Sequence, residues 1–169
     1  MSCGARKLKK ILSVSAIASI IAVLDYITKK LVETHVHPSE IIDVLPFLRI
    51  VNVKNTGAAF GMFSSLSNRI FIALTVIAII LILIYLSRSL KKLEIISLSF
   101  ILGGAIGNLI DRVNIGKVID FIDFFVNDWH WPAFNVADSS LTVGIILFIW
   151  TNIIHREHHN ETQINADDK

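Results

Sequence analysis

The run IFIALTVIAIILILIYLS, residues 70–87, contains no charged side chain. A helix needs about 20 mostly apolar residues to cross the hydrocarbon core of a bilayer, and about 17 is the lower limit. Three further apolar runs lie at residues 11–27, 93–110 and 140–154. The chain of 169 residues is 53% hydrophobic and 18% charged, whereas a soluble domain is about 25% charged. The sequence therefore predicts one integral membrane domain over residues 1–169.

Four transmembrane helices are predicted once flanking residues are included, at about 11–29, 69–87, 93–111 and 138–155. The basic segment ARKLKK before the first run is typical of a cleavable signal peptide. However, no convincing small-x-small cleavage site precedes the next polar segment, and three more apolar runs come later. The first run is therefore predicted to stay in place as a membrane span.

The distribution of lysine and arginine predicts the orientation, because these residues concentrate in cytoplasmic loops. Both termini and the tail 156–169 are predicted to be cytoplasmic, and the connections 31–68 and 112–137 to lie outside. The basic residues that decide this flank the spans: Arg6, Lys7, Lys9, Lys10, Arg88, Lys91, Lys92 and Arg156.

The first outer connection contains LRIVNVK, residues 48–54, which alternates and is rich in β-branched residues. Such a pattern predicts a β-strand. The small residues of TGAAFG, residues 56–61, allow the backbone to bend or to approach a partner closely. A small β element resting on the outer leaflet is expected here.

The second outer connection gathers acids in an apolar segment, GKVIDFIDFFVNDWHWPAFNVADSS, residues 116–140. The chain leaves and re-enters the membrane on the same face, so Asp120 and Asp138 can meet at the mouth of the bundle. An acid close to hydrocarbon indicates a functional site. Two structural interpretations compete with this one. Asp138 is well placed to cap the fourth helix, and Asp120 and Asp123 also fit the pattern of solvated loop carboxylates.

Two carboxylates held together in an apolar site cannot both ionise cheaply, so one keeps its proton while the other stays charged. Such a pair can activate a water molecule and protonate a peptide carbonyl, and it titrates as a unit. Arg112 is expected to pair with Asp111 or another nearby acid. Asp25 and Lys29 are spaced i,i+4, which is also typical of a purely structural ion pair. Other polar residues expected near the acids are Asn55, Asn108 and Asn135.

The sequence resembles the lipoprotein signal peptidases, the type II signal peptidases of bacteria. The blocks that carry the resemblance are DYITK (25–29), VKNTGAAFGMF (53–63) and GGAIGNLIDRVNIGKVIDFIDFF…WPAFNVADSSLTVG (103–144). By position, the catalytic aspartates of the family fall on Asp120 and Asp138, and not on Asp123. Tyr26 stands where the family usually has Gln or a similar polar residue. The supporting positions fall on Asn55, Gly57, Asn108, Arg112, Asn135, Asp25 and Lys29.

The resemblance implies a mainly α bacterial inner-membrane protein with four transmembrane helices, a periplasmic β-cradle and a periplasmic loop or helix. It implies hydrolysis of a prolipoprotein just before a cysteine that carries diacylglyceryl. The expected partners are this substrate and membrane lipid. A monomer is expected, with no metal, no cofactor and no nucleic acid. Trp129, Trp131 and Phe134 are expected at headgroup depth, either as a lid or as simple anchors.

Other classes of protein fit the sequence less well. The tail HREHH, residues 155–159, lacks the HExxH spacing of zinc proteases. Cys3 is the only cysteine, which excludes an intramolecular disulfide. No histidine accompanies a candidate serine in a usable outer motif. The remaining alternative is a small non-enzymatic transport or assembly subunit, which predicts acids at mid-membrane on facing helices.

Overall fold

The computed structural model describes residues 3–57, 66–88 and 91–167, with side chains described at 4–57, 66–88 and 91–153. Helices and strands follow one another as α1 (Cys3–His35), β1 (Ile42–Leu45), β2 (Leu48–Asn55), α2 (Asn68–Leu86), α3 (Lys92–Asn114), β3 (Val118–Val126), β4 (Trp129–His130) and α4 (Val136–Asp167).

Four helical segments are long and apolar enough to cross a membrane: Gly4–His35, Asn68–Leu86, Lys92–Asn114 and Val136–Ile153. The predicted fold class, four spanning helices with a small sheet, is therefore confirmed. α1 continues beyond the predicted end of its span to His35, because the segment KKLVETH consists mostly of residues that tolerate helix well.

Helix α3 is the centre of the bundle and packs against α1, α2 and α4. Its residues Leu98 and Leu102 join Val14 and Ala18 of α1 and Leu86 of α2 in one apolar core. In contrast, α2 exposes most of its apolar side chains, as expected of a helix that faces lipid tails.

The crossing of α3 and α4 depends on glycine. A Cβ atom on Gly104 would collide with the backbone oxygen of Ala137 and would lie 2.8 Å from Cγ of Leu141. A Cβ atom on Gly144 would lie 2.8 Å from the backbone oxygen of Ser97. Small residues at these points let the two backbones approach closely, as is common between membrane helices.

The four strands form one antiparallel sheet in the order β1-β2-β3-β4. Strand β2 covers the predicted LRIVNVK strand, which is thereby confirmed. Strand β3 was not predicted, because its first four residues are buried and the apolar run shows no clean alternation. In the register of β2 and β3, Val53 lies opposite Asp120 and Asn55 lies opposite Val118.

The sheet rests on the end of the bundle where α1 ends and α4 begins. Phe121 of β3 packs with Val32 of α1, with Val36 just after that helix, and with the partly buried Val136 of α4. The side chain of Asn52 donates a 2.7 Å hydrogen bond to the backbone oxygen of Val36. These contacts place strand β3 beside the first turn of α4.

A glycine with a left-handed backbone conformation turns the chain from α3 into β3. The backbone N–H of Ile115 donates to the oxygen of Asp111 at 2.8 Å and closes the helix. Gly116 follows with φ of 76°, a conformation that glycine adopts without the strain that a side chain would introduce. This turn directs β3 back across the end of the bundle.

Candidate active site

Asp120 lies in β3 and is almost completely buried, with 2% of its surface exposed. Two side-chain amides hold its carboxylate. Asn55 donates from Nδ2 to Oδ2 of Asp120 at 2.9 Å, and Asn135 donates from Nδ2 to Oδ1 at 2.7 Å. Both carboxylate oxygens are therefore fixed by groups from different parts of the chain.

Burial raises the pKa of Asp120 to about 6, because the charged carboxylate loses its hydration. The hydrogen bonds from Asn55 and Asn135 oppose this change of pKa by favouring the charged form, as does the charge of Lys29. The nearby carboxylate of Asp138 raises the pKa further by repulsion. Asp120 therefore changes protonation state close to neutral pH.

Asp138 lies in the first turn of α4 and is half-buried. Its Oδ1 accepts a hydrogen bond of 2.8 Å from Nδ2 of Asn108 on α3. The interpretation of Asp138 as the helix cap is wrong. Asn135 directly precedes α4, and its Oδ1 accepts from the backbone N–H of Asp138 at 2.8 Å, which is the bonding pattern of an N-cap residue. The carboxylate of Asp138 is thus not used to cap its own helix.

Asn135 joins the two acids. It is fully buried, and its single amide donates to the carboxylate of Asp120 and accepts from the backbone of Asp138. Its Nδ2 also lies 3.3 Å from Oδ1 of Asn108, which holds the Asp138 carboxylate. The amides of Asn135 and Asn108 therefore set the relative positions of the two acids.

Beneath the acids, Lys29 joins α1 to α3, and its partner Asp25 joins α1 to α4. Its Nζ lies 2.7 Å from Oδ2 of Asp25 and 3.1 Å from Oδ2 of Asp111. It also donates to Oδ1 of Asn108 at 2.9 Å. Asp25 in turn accepts from the backbone N–H of Ala137 at 2.8 Å. The Asp25–Lys29 pair is present, and it also anchors the start of α4 and orients the amide that holds Asp138.

The expectation that Arg112 pairs with Asp111 or another nearby acid is wrong, because the described residues contain no ion pair of Arg112. Asp111 pairs with Lys29 and accepts from the backbone N–H of Ile119 at 3.1 Å. Arg112 is one residue further along α3 and therefore points about 100° away around the helix. Its guanidinium donates from Nη2 to the backbone oxygen of Gly57 at 2.5 Å.

Arg112 thereby holds the loop that carries Asn55. The backbone N–H of Gly57 donates to Oδ1 of Asn55 at 2.8 Å, which closes a local turn and aims Nδ2 of Asn55 at Asp120. The guanidinium of Arg112 also lies 4.4 Å from the ring centre of Phe71 on α2. The loop and α2 are therefore fixed to α3 by one side chain.

Asn68 is a site residue that was not predicted. It is the first residue of α2, and its Nδ2 donates to the backbone oxygen of Arg112 at 2.9 Å. Its Oδ1 accepts from Nη1 of Arg112 at 3.3 Å. Nothing in the sequence distinguishes Asn68 from an ordinary polar residue at a helix start, because its partner is 44 positions away.

Asp123 belongs to a different group of residues from Asp120. It lies three positions further along β3, and side chains an odd number of positions apart point to opposite faces of a strand. Its carboxylate lies 2.9 Å from Nδ1 of His130 on β4. The geometry therefore separates Asp123 from the two amides that hold Asp120.

Two aromatic residues of the second connection, Trp129 and Trp131, are exposed. Trp129 is 61% exposed and Trp131 is 44% exposed, and their rings meet edge to face at 6.1 Å. The backbone of Phe134 pairs with Ile122 of β3. The expected roles as a lid or as membrane anchors both stay predictions. The side chains of Cys3 and of the tail 155–159 lie outside the described residues.

The fold and the site define a multi-pass membrane protein with a cluster of acids and amides at one end of its helix bundle. The family model described as "Signal peptidase (SPase) II" matches residues 17–154. The chain therefore belongs to the signal peptidase II family and is a membrane peptidase.

The sequences and structures of individual relatives support the assignment to this family. The lipoprotein signal peptidase of Sulfurihydrogenibium sp. (strain YO3AOP1) is 44% identical over 149 residues, covering 83% of this chain and 91% of the relative. That of Serratia marcescens is 36% identical over 156 residues, covering 90% of this chain and 92% of the relative. A bacterial membrane enzyme solved by the in meso method superposes with a TM-score of 0.82 at 33% identity, over 88% of this chain and 92% of that enzyme.

Proposed function

We propose that the protein is an aspartic endopeptidase that removes signal peptides from prolipoproteins, cutting before the cysteine that carries diacylglyceryl. Asp120 and Asp138 act together on a water molecule. The observation that carries this proposal is the position of Asn135, whose one amide donates to the carboxylate of Asp120 and accepts from the backbone of Asp138. The names of the relatives support the substrate class.

In the proposed mechanism the two acids share one proton. The ionised carboxylate takes a proton from water while the water oxygen bonds to the peptide carbonyl carbon. The protonated carboxyl gives its proton to the carbonyl oxygen, so a neutral gem-diol forms. In the second step a proton passes to the leaving nitrogen, the C–N bond breaks and one hydroxyl proton returns to the pair. A pKa of about 6 at Asp120 suits both proton transfers near neutral pH.

The surrounding residues have positioning roles in this proposal. Asn55 and Asn135 hold Asp120, and Asn108 holds Asp138. Gly57 and Arg112 shape the loop of Asn55. Asp25 and Lys29 orient Asn108 and the start of α4. None of these residues needs to exchange a proton with the substrate.

The location of the acids fits a substrate that resides in the bilayer. The signal helix and the acyl chains of a prolipoprotein both lie in lipid, so its scissile bond is presented at the membrane interface. The sheet and the start of α4 form that end of the bundle. The basic residues at the opposite ends of the spans support an outward-facing site, with both termini cytoplasmic. A monomer is sufficient, since all the residues invoked come from one chain.

The non-enzymatic alternative, a transport or assembly subunit, is disfavoured by the depth of the acids. Ion-conducting or proton-relaying acids are expected on facing helices near mid-membrane. Asp120 instead lies on a strand, and Asp138 lies in the first turn of its helix.

The test uses purified full-length protein in proteoliposomes with a diacylglyceryl-modified precursor. Asp120→Asn and Asp138→Asn should each reduce cleavage about 100- to 10,000-fold, as expected for loss of a general acid or base. Asp123→Asn is the matched control, because it changes the same residue type on the same strand, and it should retain cleavage. A chelator should leave the rate unchanged.

The outcomes separate the parts of the proposal. If either the Asp120 or the Asp138 variant cleaves at the parent rate, the acids do not form the catalytic pair. If the parent protein does not cleave the lipidated precursor, the substrate is wrong. If it cleaves the precursor equally well without diacylglyceryl, the lipid is not recognised.

A further inference from the structure

A groove runs along the bundle on the side away from α4. Helices α1 and α2 each pack on α3, and a space of about 680 Å³ lies between them. Its wall on α1 extends from Lys7 to Tyr26, and α2 and α3 form the rest of it. Neither candidate catalytic acid nor any of the amides that hold them is among the described residues that line this groove.

The groove is apolar along its length and basic at one end. Its described walls include Val14, Ala18 and Leu102. At the end opposite the acids it is lined by Lys7 and Lys10, and no acidic residue is among its described lining. The Nζ of Lys10 donates to the backbone oxygen of Arg88 at 2.6 Å, which fixes its ammonium at the mouth. An ammonium has three N–H donors, and this bond takes one of them.

The groove extends over the apolar depth of a membrane. The stretch of α1 from Lys7 to Tyr26 corresponds to about 28 Å along the helix axis, close to the roughly 30 Å thickness of the hydrocarbon core. The walls between these ends are lined mostly by apolar side chains, along which extended acyl chains can lie.

The charge at the mouth argues against the signal peptide of a substrate. On the proposed function, the cleavage site must reach the acids, so the opposite end of the signal peptide would lie beside Lys7 and Lys10. Signal peptides begin with a positively charged segment, which these lysines would repel. A phosphate group would instead be attracted, as in basic pockets between membrane helices that bind anionic lipids.

We propose that this groove binds an anionic phospholipid of the membrane, with its phosphate at Lys7 and Lys10 and its acyl chains along the apolar walls. The lipid completes the interface that α1 and α2 leave open. It also anchors the basic end of α1 to the end of α2.

The experiment measures lipid binding to the full-length protein in detergent by native mass spectrometry, with phosphatidylglycerol and phosphatidylcholine titrated separately. Phosphatidylglycerol should bind more tightly than phosphatidylcholine. The double variant Lys7→Gln, Lys10→Gln should weaken phosphatidylglycerol binding about 30-fold, since each lysine near a lipid headgroup contributes about a fivefold effect. Lys9→Gln is the matched control, because Lys9 is exposed and does not line the groove.

A second pair of variants tests whether acyl chains occupy the groove. Ser19→Phe places a ring inside the groove, and Ser13→Phe places the same ring elsewhere on the exposed surface of α1. Only Ser19→Phe should abolish lipid binding. The proposal is overturned if the double lysine variant binds phosphatidylglycerol as tightly as Lys9→Gln. It is also overturned if Ser19→Phe leaves lipid binding unchanged but raises KM for a lipidated precursor, because the groove would then hold substrate. Loss of Asp120 or Asp138 should not alter lipid binding, so this test is independent of the catalytic proposal.

Discussion

Lys29 places its ammonium nitrogen 3.1 Å from Oδ2 of Asp111, so the first and third membrane helices are joined by a buried ion pair. The same nitrogen pairs with Asp25. Replacing Lys29 with Met keeps most of the side-chain volume but leaves two buried carboxylates without a cation. We expect Lys29→Met to lower the free energy of unfolding by about 3–5 kcal/mol, measured by thermal unfolding in detergent.

The control for this prediction is the neighbouring residue. Lys30 pairs with Glu33 at 3.0 Å, but its side chain is 57% exposed. Exposed pairs contribute little, so Lys30→Met should change stability by less than about 1 kcal/mol. Equal losses of unfolding free energy in the Lys29 and Lys30 variants would mean that the pairing of Lys29 does not stabilise the bundle.

Asn135 has two roles that one substitution can separate. Ser is as good a helix cap as Asn, but its shorter side chain cannot reach Asp120. We therefore expect Asn135→Ser to keep the stability of α4 within about 1 kcal/mol of the parent. Cleavage should fall about 10- to 100-fold, the effect of losing a hydrogen bond to a charged group. Asn135→Ala should lower both the stability of α4 and the rate of cleavage. Unchanged cleavage by the Ser variant would show that the contact with Asp120 is dispensable.

We expect Asn68 to act on Asp120 at a distance, as a positioning residue. It fixes Arg112, which holds Gly57, and Gly57 closes the turn of Asn55. We expect Asn68→Ala to lower kcat about tenfold with little change in KM. The hydrogen bond from Asn55 lowers the pKa of Asp120, so loosening it should move the corresponding limb of the pH–rate profile upward.

Arg69→Ala is the control for the Asn68 variant, since Arg69 is exposed and comes directly after Asn68. It should leave kcat and the pH profile unchanged. A loss of stability in Asn68→Ala without any change in kcat or in the pH profile would assign Asn68 a purely structural role.

Stability should depend on pH through Asp120. Burial raises its pKa from 3.8 to about 6, so the folded protein binds this proton more tightly than the unfolded chain does. The resulting stabilisation is complete below the unfolded value and is lost as the pH rises through 6. We expect this group to remove up to roughly 3 kcal/mol between about pH 4 and 7, measured by tryptophan fluorescence during thermal unfolding.

Asp120→Asn removes the titrating group, so its stability should fall less over the same interval. Parallel stability curves for the parent and the Asp120 variant would contradict the raised pKa.

The sequence was sufficient to predict the helices, because a continuous apolar run such as 70–87 fits few structures besides a membrane-spanning helix. It was also sufficient for strand β2, where polar and apolar residues alternate. It was not sufficient for β3, in which residues on both faces are buried and the alternation disappears. A buried strand of this kind is indistinguishable by pattern from an apolar loop around acids.

Within the site, residue types were easier to predict than partners. Asn135 and Asp138 both favour N-cap positions and lie three residues apart, so the sequence alone cannot decide between them. Asp111 and Arg112 are adjacent, yet Asp111 pairs with Lys29 of a different helix, α1. Such pairings depend on how α1 and α3 rotate against each other. Gly103 lets these two helices approach closely, since a Cβ atom there would lie 2.8 Å from Cβ of Ile21.

Asp120 and Asp138 are added to the growing chain at different stages of its synthesis. Asp120 lies on a strand that follows the third span, whereas Asp138 belongs to α4, which is synthesised after that strand. A nascent chain with three helices inserted therefore holds only half of the proposed pair. On the proposed function, cleavage requires that α4 enters the bilayer and that Asp25 accepts from the backbone N–H of Ala137, so a chain without α4 should not cleave.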